Sequence, residues 1–123
     1  WSIVTSASRR LAEARWRGAG IAIPQAVVTA DDVAAGKPHP EPFLTAARCL
    51  SVDPARCVVF EDSAPGAAAG RAAGAAVVAV GSVPWPLEPT ARVRDLSHVA
   101  VRVGDGVGHL VLELSGKGGS ERS

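Results

Sequence analysis

Residues 57–66 read CVVFEDSAPG and carry the clearest signal for the fold. Its four leading apolar residues predict a strand buried on both faces, as the central strands of parallel sheets are. Two adjacent carboxylates, Glu61 and Asp62, follow where the strand gives way to a helix. Removing carboxylates from water at such a place costs free energy unless a cation compensates their charge. Mg²⁺ is suited to this because it prefers hard oxygen ligands. The stretch therefore predicts a buried strand that ends at a cation site, with Ser63 capping the next helix.

Strands and helices alternate on both sides of this stretch. Further strands are predicted over residues 1–5, 26–29 and 76–80, and helices over residues 9–17, 41–50 and 64–73. This alternation predicts right-handed βαβ units, and therefore an α/β fold with a three-layer, Rossmann-like parallel sheet. The remaining segments carry a weaker signal. We predict a proline-rich extended connector over residues 83–89, a strand within 95–103, an edge strand over 109–114 and a disordered polar tail over 116–123.

The composition bounds the classes of protein to which the chain can belong. A length of 123 residues with 47% hydrophobic residues is typical of one folded domain. A formal net charge of +1 gives no electrostatic case for binding nucleic acid or a membrane surface. Two cysteines, Cys49 and Cys57, are too few for a disulfide framework, and we expect free thiols. The sequence contains no signal peptide or membrane-spanning stretch, so we expect a cytoplasmic protein.

Polar side chains follow three of the predicted strands. Thr5 and Ser6 end the first strand, Lys37 lies in the GKPHP loop after the second, and the acidic pair 61–62 ends the third. In a parallel α/β sheet, ligands bind beyond the carboxyl ends of the strands. Each feature alone has an ordinary explanation, since a hydroxyl pair often caps a helix and a Gly-Lys-Pro segment is often only a loop. Together they predict a site for a phosphoryl group and its metal ion.

Two further polar features lie near the lysine. His39 could touch a substrate, but a histidine at the surface or one that orders its loop is the favoured interpretation. The acidic pair at residues 31–32 follows a less apolar strand, so we expect it to cap or solvate a turn. Neither is predicted to belong to the site.

At these residues the sequence resembles a known family. The second, third and fourth motifs of the haloacid dehalogenase-like hydrolases are similar to VTS at residues 4–6, GKPHP at 36–40 and VFEDS at 59–63. The segment TADDV at residues 29–33 resembles the branch that contains sugar-phosphate phosphatases, glycerol-3-phosphate phosphatases and β-phosphoglucomutase. The resemblance extends over residues 1–82 and implies that family's core domain.

The resemblance also implies roles for the polar residues. Thr5, with Ser6 beside it, would donate hydrogen bonds to the phosphoryl oxygens. Lys37 would be the catalytic residue that neutralises the charge of the nucleophile and the phosphoryl group, and Glu61 with Asp62 would hold Mg²⁺, directly or through water. The implied partner is a small phosphorylated metabolite: a sugar, polyol or hydroxy-acid phosphate. The implied reaction is Mg²⁺-dependent hydrolysis of a phosphomonoester through an aspartyl-phosphate.

One departure from the family pattern outweighs the others. The family's first motif is Asp-x-Asp, which supplies the nucleophile and the general acid/base, and no Asp-x-Asp occurs in these 123 residues. The cap domain that selects the substrate in this branch is absent as well. The chain starts at Trp1 within a predicted strand, so we expect residues 1–115 to be the C-terminal portion of a core domain that is incomplete at its N-terminus. On its own, this chain is expected to bind Mg²⁺ poorly and to turn over nothing.

Two alternative functions share part of this pattern. A truncated, non-catalytic relative of these hydrolases would act as a binding or oligomerising module, because an incomplete sheet exposes strand edges that pair with other chains. A phosphoacceptor receiver domain also places Asp, Thr or Ser and Lys on a parallel sheet. There the acids come first and the lysine last, whereas the order here is hydroxyl, lysine, acids, which disfavours that interpretation.

Overall fold

The computed structural model describes residues 1–82, 88–106 and 109–115. Its strands are β1 Ser2–Val4, β2 Ala26–Val28, β3 Val58–Glu61, β4 Ala76–Val80, β5 Ala91–Val93, β6 Val99–Val103 and β7 Leu110–Leu114. Its helices are α1 Arg9–Ala19, α2 Glu41–Leu50 and α3 Ala64–Ala72, and single-turn 3₁₀ helices occupy Ala30–Asp32, Pro54–Arg56 and Leu96–His98. None of the helices in these ranges is long and apolar enough to cross a membrane.

The strands form three sheets rather than one. β1 pairs in parallel with β2, and β3, β4 and β5 form a parallel sheet in that order. β6 and β7 form a separate antiparallel pair. Within the described residues no ladder joins β1 to β3. α2 packs against β1 and β2, α3 packs against β3 and β4, and the two helices contact each other, so helix packing connects the two parallel sheets.

Small residues allow α3 to lie close to its sheet. Val59, Ala67 and Val77 form a buried cluster, against which Phe43 of α2 packs. A Cβ added at Gly70 would lie 3.0 Å from a methyl carbon of Val77 and 3.2 Å from one of Val59. Because a real side chain at residue 70 would push the helix outward, glycine there sets the distance between helix and sheet.

The helix ends follow capping rules. Ser8 Oγ accepts a hydrogen bond from Leu11 N at 3.4 Å, and Ser63 Oγ accepts one from Gly66 N at 3.2 Å, as predicted for Ser63. The prediction that α1 ends at residue 17 is wrong by two residues. The helix continues to Ala19 and closes at Gly20, whose φ of 66° is the left-handed conformation that favours glycine.

The predicted burial of β3 on both faces is only partly right. Val59 is buried, but Val58 is 39% exposed and Phe60 is half-buried. The strand also begins one residue later than predicted, because Cys57 closes the preceding 3₁₀ turn. Trp1, expected within a buried strand, is 74% exposed. In the described structure β1 and β3 each pair along one edge only, so neither has the neighbours that bury a central strand.

The C-terminal third differs most from the prediction. The strand expected within residues 95–103 begins only at Val99, after a 3₁₀ turn, and the strand expected over 109–114 is β7, which pairs with β6 and not with the parallel sheet. β5 was missed, since only Val93 in its three residues is buried. The connector at 83–87 and the tail at 116–123 lie outside the described residues.

Candidate active site

A cavity of about 660 Å³ lies at the carboxyl ends of β1 and β3. All five predicted site residues line it: Thr5, Ser6, Lys37, Glu61 and Asp62. The other lining residues are Val4, Arg15, Phe60, Ser63 and Pro65. Three segments far apart in sequence therefore meet at one edge of the fold, as the pattern of strand ends predicts.

Lys37 connects the two parallel sheets at this edge. Its ammonium group donates a hydrogen bond to the carbonyl oxygen of Val4 at 3.3 Å and forms an ion pair with Oε1 of Glu61. The Nζ atom also lies 5.1 Å from the centre of the Phe43 ring, within cation–π range. The side chains of Lys37 and Glu61 are only 10% and 8% exposed, so little solvent screens this pair.

Glu61 is the last residue of β3, and the first turn of α3 leaves room for its carboxylate. Ser63 Oγ donates a hydrogen bond to Glu61 Oε2 at 3.3 Å. A Cβ added at Gly66 would overlap that carboxylate, so glycine is the residue that accommodates it. The positive end of the helix dipole favours a negative charge at this position. Glu61 is thus held by a lysine, a hydroxyl and a helix terminus.

The hydroxyl residues take up two different positions at the end of β1. Thr5 N donates to the carbonyl oxygen of Val28 at 2.9 Å, which extends the pairing of β1 with β2 by one residue. The Thr5 hydroxyl accepts a hydrogen bond from Ala7 N at 3.1 Å, so its own proton is available to a ligand in the cavity. Ser6 is exposed beside it.

Glu61 and Asp62 each offer a carboxylate, which is the kind of oxygen ligand that Mg²⁺ prefers. Mg²⁺ is usually held by one or two carboxylates together with water and substrate phosphate oxygens. Glu61 and Asp62 supply two such carboxylates in one cavity, and in the described part of the chain no cluster of three His, Cys, Asp or Glu side chains offers more. Glu61 is paired with Lys37, whereas Asp62 is exposed and forms no ion pair with any described residue. Of the two carboxylates, Asp62 is therefore the one that could bind a cation without first giving up an ion pair with a described residue.

Sequence reasoning missed three residues near the cavity. Arg15 of α1 lines it, Phe43 lies beside Lys37, and Glu41 binds the backbone of the lysine loop. Arg15 and Phe43 fall within the predicted helices 9–17 and 41–50 and not at a strand end, so the strand-end pattern does not point to them. His39, expected at the surface or in the ordering of its loop, is exposed, and its Nδ1 accepts a hydrogen bond from Glu41 N at 3.1 Å.

A family model for haloacid dehalogenase-like hydrolases matches residues 1–74. Hexitol phosphatase A of Escherichia coli (strain K12) is 46% identical over 80 residues, which cover 65% of this chain and 37% of that protein. Glycerol-1-phosphate phosphohydrolase 2 of Saccharomyces cerevisiae is 35% identical over 114 residues, which cover 85% of this chain and 46% of that protein. The chain thus spans less than half the length of these two relatives.

Solved structures share the arrangement of strands and helices. A hydrolase of this family from Deinococcus radiodurans R1, solved with bound phosphate and sodium, is 30% identical with a TM-score of 0.66, and the match covers 77% of this chain and 48% of that one. CbbY from Rhodobacter sphaeroides, solved in complex with phosphate, is 27% identical with a TM-score of 0.68, and the match covers 78% and 46%. These matches confirm the predicted α/β, Rossmann-type fold.

Proposed function

The chain belongs to the haloacid dehalogenase-like hydrolase family, and we propose that it carries the phosphoryl-binding and Mg²⁺-binding half of a phosphomonoester hydrolase. The supporting observation is the cavity at the ends of β1 and β3, in which hydroxyl, ammonium and carboxylate groups from three strand ends meet. The proposed substrate is a small sugar, polyol or hydroxy-acid phosphate. Relatives named for hexitol and glycerol-1-phosphate substrates support the sugar and polyol classes.

Each side chain has a proposed task in phosphoryl transfer. Thr5 and Ser6 donate hydrogen bonds to the phosphoryl oxygens, and Lys37 offsets the negative charge of the reacting groups. Asp62 holds Mg²⁺ and Glu61 joins it, directly or through water, while keeping Lys37 in place. The bound ion would supply further charge neutralisation at the phosphoryl oxygens. Positioning and electrostatic stabilisation of this kind are the main contributions of a protein to phosphoryl transfer.

The covalent step requires a residue that this sequence does not contain. In the proposed reaction an aspartate of an Asp-x-Asp motif attacks phosphorus, and the bond to the ester oxygen breaks. The leaving alcohol takes a proton from the second aspartate, and water then hydrolyses the aspartyl-phosphate. No Asp-x-Asp occurs in the 123 residues. The proposed activity therefore belongs to a longer chain that supplies the motif.

We predict that the purified 123-residue chain does not hydrolyse p-nitrophenyl phosphate in the presence of Mg²⁺, because it lacks the nucleophile. Release of p-nitrophenol, followed by absorbance, is the measurement. Lys37→Ala and Lys117→Ala form a matched pair of variants, since these are the two lysines of the sequence. Mg²⁺-dependent turnover that Lys37→Ala abolishes and Lys117→Ala preserves would contradict the prediction and reveal a nucleophile elsewhere in the chain.

A second proposed function is a non-catalytic module that associates through its strand edges. β1 and β3 each lack a strand along one edge within the described residues, and β6 and β7 leave aliphatic side chains exposed, among them Val103 at 75% and Leu110 at 69%. Phosphatase activity of the native gene product would reject this alternative.

For either function we propose a cytoplasmic location, which the free thiols Cys49 and Cys57 support.

A further inference from the structure

Lys37 is carried by a loop whose backbone is bound by one carboxylate. The loop runs from the end of the 3₁₀ turn Ala30–Asp32 to the start of α2. Ala34 N donates to Glu41 Oε1 at 3.0 Å, and Ala35 N donates to Glu41 Oε2 at 2.9 Å. Both oxygens of the Glu41 carboxylate are thus used on consecutive backbone amides. Hydrogen bonds to an ionised carboxylate are among the stronger ones in proteins.

The part of the loop that follows Lys37 is held by hydrogen bonds next to the start of α2. His39 N donates to Gly36 O at 3.0 Å, and Glu41 N donates to His39 Nδ1 at 3.1 Å. Lys37 lies between these two sets of hydrogen bonds. Because α2 packs on β1 and β2, the first residue of α2 is a fixed point relative to the end of β1, where Lys37 binds the carbonyl oxygen of Val4.

We propose that Glu41 is a positioning residue that sets the backbone from which Lys37 reaches Val4 and Glu61. A lysine side chain is long and flexible, so its ammonium group keeps one position only if the backbone that carries it is fixed. The proposal rests on the proposed function only for the part that Lys37 plays in hydrolysis. The placement of the ammonium group by Glu41 is a separate structural claim.

A simpler role for Glu41 makes a different prediction. Glu41 is the first residue of α2, where any carboxylate interacts favourably with the helix dipole. If that were its whole contribution, replacing Glu41 would lower the stability of the protein and leave the surroundings of Lys37 unchanged. Positioning instead predicts that Lys37 becomes more accessible.

The test is the rate of acetylation of Lys37 relative to Lys117, measured by peptide mass spectrometry on the folded chain. Lys117, the other lysine of the sequence, serves as an internal reference. In Glu41→Gln, the side-chain carbonyl accepts one of the two amides and the NH₂ group cannot accept the other. We expect the Lys37:Lys117 rate ratio to rise about fivefold in this variant, because one of two hydrogen bonds to the loop is lost. The matched control is Glu13→Gln, an exposed site of α1 remote from the loop in sequence, which should leave the ratio unchanged.

A second variant separates the positioning of the loop by Glu41 from its interaction with the helix dipole. It also provides a test if Glu41→Gln does not fold. Glu41→Asp keeps a carboxylate at the helix start but shortens the side chain by one methylene, so the dipole interaction is kept and the reach to both amides is lost. We expect the ratio to rise in Glu41→Asp as well, with an unchanged circular dichroism spectrum. A wild-type ratio in whichever of the two variants is folded would overturn the proposal. Because the readout is labelling, an inactive enzyme would refute the proposed function without affecting this result.

Discussion

Gly66 shows how a single residue determines the geometry of the candidate site. A side chain at this position would occupy the space of the Glu61 carboxylate, which is buried and paired with Lys37. The sequence predicts that the lysine and the acidic pair meet, since both follow strands of one parallel arrangement. It does not predict that Lys37 pairs with Glu61 in particular, because that contact joins residues 24 positions apart and depends on where α3 leaves space.

We expect Gly66→Ala to destabilise the protein by about 1–3 kcal/mol, since the added methyl group forces the buried carboxylate away from its lysine. Urea denaturation followed by circular dichroism measures the change. Gly18→Ala is the matched control: Gly18 lies inside α1, nothing lies within 4 Å of its added Cβ, and we expect a gain of about 0.5–1 kcal/mol. Equal stability of Gly66→Ala and the wild type would show that Glu61 does not need this space.

At the level of elements, alternation and capping signals predicted strands β1 to β4 and helices α1 to α3 to within two residues. The exposure of β3 and the short β5 could not be predicted, because both depend on which strands pair and not on local pattern. A run of apolar residues indicates a strand but not how many neighbours it has. The pairing of β6 with β7 in a separate hairpin likewise follows from tertiary contacts rather than from periodicity.

The turn after β2 provides a connection between elements that should depend on pH. Asp32 accepts hydrogen bonds at 2.8 Å from Thr29 N and from Thr29 Oγ1, and it pairs with Arg9 at 2.8 Å, which ties the start of α1 to the end of β2. The hydrogen bonds from the backbone and hydroxyl of Thr29, with a smaller contribution from Arg9, lower the pKa of Asp32 below its ordinary value of 3.8. A lowered pKa in the folded state means that ionised Asp32 stabilises the fold above that ordinary value.

We therefore expect Asp32→Asn to be less stable than the wild type at neutral pH, with a difference that shrinks as the pH falls below 3.8 through the lower folded-state pKa. The free energy of unfolding of both proteins, measured in urea between pH 7 and pH 3, tests this. A difference that stays constant over the whole range would mean that the charge of Asp32 contributes nothing.

At the scale of the whole molecule, two parallel sheets are connected by the packing of α2 on α3 and by Lys37 at their carboxyl edge. The fold class and the meeting of the five predicted site residues at one cavity were predictable, because parallel strands place their carboxyl ends at one edge. The division into two sheets was not, since the local pattern of β1 and β3 is that of strands with neighbours on both sides. The position of Arg15 at the cavity was not predictable either, because the helical pattern of α1 does not indicate which of its residues faces a site built at the strand ends.

The most direct test of the phosphoryl site is the phosphatase activity of the native gene product, purified from its source, against hexitol and glycerol phosphates with Mg²⁺. We predict hydrolysis that Lys37→Ala lowers by about 10²–10³-fold, the usual cost of removing one charge-stabilising group, and that Lys117→Ala leaves unchanged. A native gene product that does not hydrolyse these esters, or one whose activity survives Lys37→Ala, would contradict this prediction.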